Sequence, residues 1–262
     1  MILIIKLRDG KMKVITSCVT LILSVLIIHT MTFSAPPPDR SFSFGAKAGY
    51  NQGQLRGQKT EPGFEVEKMS LGCFSAGLIA SWEINQYFSL QPEILYFQKG
   101  GQYEVDVPIN LPGIAIKVND TRYLNYLEMP LLFKFSLPVS TRVSPTFLIG
   151  PSLGINLTAR VKSRINIAVP NYKFTLIEKK DIKKEANNLE WSLVIGGGLD
   201  FNLNRGRLTI DQRFFFGLNA NRYQVLVPAS QFAPLGFPMA QDMTYELKMN
   251  NYVFTVSLGY LF

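Results

Sequence analysis

Large apolar side chains alternate with small or polar ones along most of this chain. The pattern is clearest at the carboxyl end, where every second residue from Tyr252 to Phe262 is large and apolar. A period of two is typical of a β-strand with one apolar face. A final strand with aromatic residues near both ends, ending in Phe, favours an outer-membrane β-barrel.

The same alternation predicts seven earlier strands. With the closing strand, they cover residues 42–50, 69–82, 88–101, 123–136, 145–159, 189–203, 207–220 and 249–262. Pro92 predicts a bulge or bend in the third strand, because it cannot donate to a strand ladder. Between the strands, short connections alternate with long predicted loops at 51–68, 102–122, 160–188 and 221–248.

This spacing predicts an all-β fold, an eight-stranded antiparallel transmembrane up-and-down β-barrel with short periplasmic turns and long extracellular loops. The alternative is a soluble lipocalin-like barrel, which would hide its large side chains inside. Here the inward positions hold Gly, Ser, Thr and charged residues. We interpret that set as too small or too polar to fill a soluble core.

The amino-terminal segment predicts export to the cell outer membrane. Two lysines precede an apolar run from Val14 to Ile28, and small residues follow up to Ser34. Residues 1–34 are therefore predicted to be a cleaved signal peptide, with Met12 as an alternative start. An uncleaved membrane anchor is the other interpretation. Residues 35–41 would form a short leader, and residues 42–262 the barrel domain.

Composition restricts the chemistry that the exported chain could perform. The only histidine, His29, lies in the predicted signal peptide. Ser-His catalysis and His-ligated metal sites both need this side chain. Cys73 would be the single remaining cysteine, so no internal disulfide could form. We therefore expect no enzyme activity and no cofactor or metal; a carboxylate-based enzyme is the alternative.

Charged residues occur on the predicted inward faces of the strands. We expect them to pair into a structural ladder across the interior, as charges do when they are removed from water. An eight-stranded barrel is only wide enough for its own side chains, so we do not expect a large pore, and a narrow channel is the alternative. The ladder residues are Lys47, Glu93, Lys99, Glu128, Lys134, Asp200, Asp211 and Arg213.

A basic segment, Lys179–Lys184, lies in the predicted loop at 160–188. It could contact anionic lipid head groups or a protein partner through its charge. The simpler interpretation is a solvated loop. Nucleic acid is excluded as a partner of an exported barrel.

Several short motifs occur in order along residues 42–262. They are G-A-K-A-G-Y-N at 45–51, S-L-Q-P-E-I-L-Y-F-Q-K-G at 89–100, L-E-M-P-L-L-F-K-F at 127–135, I-G-P-S-L-G at 149–154 and G-G-G-L-D-F at 196–201, with the closing strand. Together they resemble the PorT family of outer-membrane β-barrel proteins. The resemblance implies an eight-stranded barrel in the outer membrane, with some members linked to protein secretion.

We therefore expect a non-enzymatic outer-membrane β-barrel with a structural or interaction role through its extracellular loops. The alternatives are an accessory component of a secretion or envelope-assembly system and a narrow channel for small solutes. Expected partners are outer-membrane lipid, a secretion or envelope protein, and the barrel-assembly machinery, which would recognise Phe262 during insertion. The sequence assigns no role to the predicted loops at 160–188 and 221–248.

Overall fold

The computed structural model describes residues 42–57, 66–107, 115–137, 139–140, 142–169, 172–184, 186–227 and 243–262. The predicted signal peptide and leader lie outside these residues. No helix in the described part is long and apolar enough to span a membrane. The described residues form eleven β-strands: β1 Phe42–Gly57, β2 Val66–Met69, β3 Leu71–Glu83, β4 Phe88–Val107, β5 Ala115–Ser136, β6 Val143–Val169, β7 Tyr172–Asp181, β8 Leu189–Leu203, β9 Gly206–Gly217, β10 Asn221–Val227 and β11 Met243–Leu261.

Eight of these strands pair into a closed antiparallel ring in the order β1, β3, β4, β5, β6, β8, β9, β11. Pairing of β1 with β11, from Gly45 opposite Leu261 to Gly57 opposite Met249, completes the ring. Each ring strand is therefore hydrogen-bonded along both edges. The other three strands extend the sheet, since β2 pairs with β4, β7 with β6 and β10 with β11.

Burial alternates along the ring strands, as the sequence pattern predicts. In β1, Ser43, Lys47 and Asn51 are buried, whereas Phe44 and Tyr50 between them are exposed. The exposed side chains form an outward apolar band. On β6 this band runs from Phe147 to Leu157. At about 3.4 Å per residue and a tilt of ~40°, it spans roughly 25 Å along the ring axis, the height of a membrane-facing band.

The connections at one end of the ring are short. Between β3 and β4, the side chain of Asn85 accepts hydrogen bonds from the backbone N–H groups of Tyr87 and Phe88, at 2.8 and 2.9 Å. Asn204 and Arg205 alone separate β8 from β9. Both chain ends of the ring, Phe42 and Phe262, lie at this end of the structure as well.

The predicted extents of the four long loops are wrong in part, because strands continue into each of these segments. The ladder of β4 and β5 extends to Val107 opposite Ile116, and that of β6 and β7 begins at Val169 opposite Tyr172. Beyond the apolar band, outward side chains meet water and become polar. The alternation of large apolar residues therefore ends there, although the backbone hydrogen bonds do not. We call these continuations the hairpin extensions: residues 102–107 with 115–122, 158–169 with 172–181, and 221–227 with 243–249.

A bulge or a bend was predicted at Pro92; no bulge occurs there, and a bulge lies in β6 instead. The register of β4 with β3 and with β5 is the same on both sides of Pro92. In β6, Asn156 stands opposite Tyr126 but Thr158 stands opposite Asn125, so Leu157 is one extra residue. Even-numbered residues of β6 point inward before Leu157, and odd-numbered residues point inward after it. The sequence pattern did not predict this change.

Candidate functional site

Inward side chains of the ring strands fill its interior, which we call the lumen. All eight residues of the predicted ladder are buried there. They lie in three groups at different heights, and each group brings acidic and basic side chains together. The lower group is nearest the short turns, the upper group is nearest the hairpin extensions, and the central group lies between them.

The lower group joins Lys134 of β5 to Asp200 of β8 through an ion pair of 2.6 Å. Arg207 of β9 lies 3.6 Å from Asp200 and 2.5 Å from Glu83 at the end of β3. Neither Arg207 nor Glu83 was among the predicted ladder residues. The sequence pattern could have identified Arg207, because an even spacing from Asp211 on the same strand places it on the same inward face.

The central group crosses the lumen. Arg213 of β9 donates to both carboxylate oxygens of Glu93 on β4, at 2.8 and 2.9 Å. These strands stand four places apart in the ring of eight, so they face each other. Lys47 of β1 lies 3.0 Å from Glu93 and 2.8 Å from Asp211. Ser257 of β11 donates to Asp211 at 2.6 Å.

The upper group centres on Lys99 of β4, which lies 2.8 Å from Glu128 on β5 and 2.7 Å from Glu190 on β8. Ser152 donates to Glu128 at 2.7 Å, and Asn251 donates to Glu190. Glu190 was not among the predicted ladder residues. Its even spacing from Asp200 along β8 placed it on the same inward face, which is the signal that could have identified it.

Two apolar layers separate and cover the charged groups. The interpretation of the inward positions as too small or too polar to pack is wrong for these layers. Phe97 and Phe215 contact each other across the lumen between the central and upper groups, with ring centroids 4.7 Å apart. That layer is completed by Leu95, Leu132, Leu148, Val194 and Val253. The second layer lies above the upper group and contains Leu55, Tyr103, Leu124, Tyr126, Ala159, Val161, Ile182, Ala186 and Met249.

The arrangement pairs acidic with basic side chains across the lumen. Each ladder carboxylate contacts a lysine or an arginine, and the apolar layers exclude water around the upper group. The described part of the chain contains no group of His, Cys, Asp and Glu that could hold a metal ion. Cys73 is a free, buried thiol on the inward face of β3.

The hairpin extensions present the exposed surface of this end. Among the described residues, β7 pairs with β6 along one edge and with no other strand. Tyr172, Phe174 and Leu176 of β7 share one face, and each is more than half exposed. The rings of Tyr172 and Phe174 stack with centroids 6.4 Å apart. An exposed apolar row beside an unpaired strand edge is a surface that can accept a partner.

A protein-family model described as "Outer membrane protein beta-barrel domain" matches residues 32–221, more than half of the chain. A comparison with curated proteins gave no match. The family model supports an outer-membrane location and an all-strand antiparallel fold.

Among solved structures, the chain is similar to the outer membrane protein OprG from Pseudomonas aeruginosa, with 12% identity, 85% of this chain and 97% of that chain covered, and a TM-score of 0.42. It is similar to Ail of Yersinia pestis in complex with the heparin analogue sucrose octasulfate, with 14% identity, 85% and 100% coverage, and a TM-score of 0.34. It is also similar to the outer membrane protease OmpT from Escherichia coli, with 9% identity, 87% and 99% coverage, and a TM-score of 0.33. The superpositions are loose, so the family assignment rests on the family model.

Proposed function

Because the chain belongs to the outer membrane protein beta-barrel domain family, we propose that its ring is an eight-stranded transmembrane barrel that supports an interaction surface outside the cell. The short turns then face the periplasm, and the hairpin extensions face the exterior. Residues 1–34 act as a cleaved signal peptide in this proposal, which delivers residues 42–262 to the outer membrane. The barrel itself is non-enzymatic.

The filled lumen is the observation that carries this proposal. Large side chains such as Arg213, Phe97, Lys99 and Tyr126 are almost completely buried inside the ring. Ion pairs join strands that are far apart around the ring, as Arg213 and Glu93 do. A barrel tied together in this way is a rigid support, and the two apolar layers of described residues oppose the passage of polar solutes.

The interaction surface that we propose is the apolar row on β7. Tyr172, Phe174 and Leu176 are exposed beyond the end of the ring, where no lipid would cover them. No other described strand pairs with the adjacent edge of β7, and an extended segment of a partner protein could pair with it. A partner would therefore gain both apolar contacts and backbone hydrogen bonds.

The resemblance to the PorT family supports a finer proposal, in which the partner belongs to a protein secretion or envelope-assembly system. The motifs that carry the resemblance lie in the ring strands, for example G-A-K-A-G-Y-N at 45–51. The barrel would then be an accessory component that holds its partner at the outer membrane. No cofactor is part of this proposal.

Site-specific photocrosslinking in intact cells tests the interaction surface. A photoreactive residue at Phe174 should form a crosslink to a protein partner, and Phe174→Ser with Leu176→Ser should reduce recovery of that partner at least several-fold. The matched control is Phe147, an exposed residue in the lipid-facing band of β6. Equal crosslinking at Phe147 and Phe174, or none at either position, would contradict the proposed surface.

Planar-bilayer recording tests the filled lumen separately. The refolded protein should show no conductance above that of the lipid alone, because the apolar layers close the path. Reproducible single-channel steps would favour the narrow-channel alternative.

A further inference from the structure

We propose that the outward face of β6 and β7, just beyond the lipid-facing band, binds the phosphate groups of an outer-leaflet glycolipid. This inference rests on the proposed orientation, in which the hairpin extensions lie outside the cell. The residues concerned form what we call the basic patch: Arg160, Lys162, Arg164, Lys179 and Lys183.

The bulge in β6 determines that the basic patch faces outward. Ala159 and Val161 are buried on the lumen side, so Arg160 and Lys162 beside them point away from the lumen. Arg160 stands opposite Tyr123 of β5, an exposed aromatic residue. Tyrosine at this height is typical of the boundary between the apolar band and the head groups. The basic patch therefore begins where lipid phosphates are expected.

Charge on this face is strongly unbalanced. Lys162 stands directly opposite Lys179, and Arg164 stands opposite Ile177. Asp181, opposite Arg160, is the acidic residue within these cross-strand pairs. Like charges directly opposite each other on neighbouring strands destabilise a sheet, and an anion bound between them removes that cost.

Lys183 lies at the end of the basic patch that is nearest the lipid-facing band. Its ammonium group donates to the backbone carbonyl oxygen of Leu157, the bulged residue at the upper end of the apolar band of β6, at 2.7 Å. This contact holds the Lys183 head group against the upper edge of the lipid-facing band. The patch thus offers three lysines and two arginines along one lipid boundary.

The neighbouring strand β5 lacks the same charge density at this height. On β5, Thr121 stands opposite Lys162 and Asn119 opposite Arg164. Lys117 farther up pairs with Glu104 at 2.9 Å. On this side of the ring, the excess of positive charge in the described part therefore lies on β6 and β7 rather than on β5. A glycolipid with two phosphates matches it better than a lipid with one, because arginine and lysine can each take a phosphate oxygen.

Thermal unfolding of the full exported chain in detergent micelles, with and without diphosphoryl lipid A, tests the proposal. Lipid that binds only the folded barrel raises the unfolding temperature in a concentration-dependent way. The triple variant Arg160→Gln, Lys162→Gln, Arg164→Gln should need at least tenfold more lipid A for the same rise. The matched control, Arg142→Gln with Arg205→Gln, removes exposed arginines at the short-turn end and should respond like the wild type.

Two further lipids separate phosphate binding from general affinity for lipid. Fully dephosphorylated lipid A has the same acyl chains and should give no specific rise. Phosphatidylglycerol should give a clearly smaller rise than diphosphoryl lipid A. An equal rise with either of these lipids, or an equal lipid A response of the triple variant and the control, would overturn the proposal. Normal unfolding of the variants without lipid shows that they are folded.

This test is independent of the proposed protein partner. If a photoreactive residue at Phe174 formed no crosslink, the proposed interaction surface on β7 would be refuted, and the lipid A response would be unaffected. If lipid A did not raise the unfolding temperature, the basic patch would be refuted as a phosphate-binding site, and the crosslinks at Phe174 would be unaffected.

Discussion

Arg213 and Glu93 face each other across the lumen and are joined by two hydrogen bonds of 2.8 and 2.9 Å. The two residues are separated by 120 positions in the sequence. Their strands are on opposite sides of the ring, so the pair connects two walls that share no backbone hydrogen bond. The geometry of this contact therefore depends on how the ring brings β4 and β9 to opposite sides of the lumen.

Neutralising one member of this pair should strongly destabilise the barrel. In Glu93→Gln, Arg213 and Lys47 retain only Asp211 as an acidic partner in the central group. Leaving a buried charge without its partner costs about 3–5 kcal/mol. Urea unfolding of the refolded protein in micelles measures this loss. The exposed pair is the control: Glu104→Gln, which breaks the contact with Lys117, should cost less than about 1 kcal/mol. Equal losses in the two variants would show that the central group contributes no more than a surface ion pair.

Gly45 should not tolerate a side chain at the seam between β1 and β11. A Cβ atom at this position would lie 1.7 Å from the backbone carbonyl oxygen of Tyr260, so one strand would have to move. Gly45→Ala should therefore cost about 1–3 kcal/mol or more. At Gly197 a Cβ would lie 3.2 Å from its nearest neighbour, and Gly197→Ala should change stability by less than about 1 kcal/mol. The same unfolding assay compares the two variants, and equal stability would contradict the steric argument.

Deletion of Leu157 should leave the barrel folded. Leu157 is the extra residue of the β6 bulge, so removing it makes the ladder with β5 regular and keeps every inward residue inward. Deletion of Leu131, in a regular part of β5, would instead turn one end of that strand inside out. Folded barrels migrate faster unheated than boiled on a gel, and only the Leu157 deletion should keep this difference. Loss of the fast form in both deletions would contradict the assignment of the bulge.

Removal of Phe262 should impair insertion in cells more than refolding in vitro. We propose that the assembly machinery recognises this exposed terminal residue. Its backbone N–H also bonds to the carbonyl oxygen of Phe44 at 2.8 Å, so a small loss of stability is expected as well. The measurement is the amount of folded barrel in isolated outer membranes, compared with the refolding yield of the same chain in micelles. The opposite result, normal insertion with poor refolding, would assign Phe262 a purely structural role.

Much of the ring was predictable from local pattern. The period of two identified the segments that became β1, β3, β4, β5, β6, β8, β9 and β11, because lipid-facing and lumen-facing positions alternate in any such strand. The inward charges were predictable for the same reason, as Lys47 and Asp211 illustrate. The hairpin extensions were not, since outward residues such as Lys179 there carry the same polar character as a solvated loop.

The sequence by itself determined which face of each strand is apolar, and therefore that the chain forms an antiparallel fold with an apolar outer face. Only the tertiary structure decided which inward charges meet, such as Arg213 with Glu93 and Lys99 with Glu190. It also decided that Phe97 and Phe215 close the lumen between them. The physical reason is that alternation depends on a residue and its immediate neighbours. Contacts across the lumen depend on strand order, register and one bulged residue, Leu157, which redirects every side chain that follows it on β6.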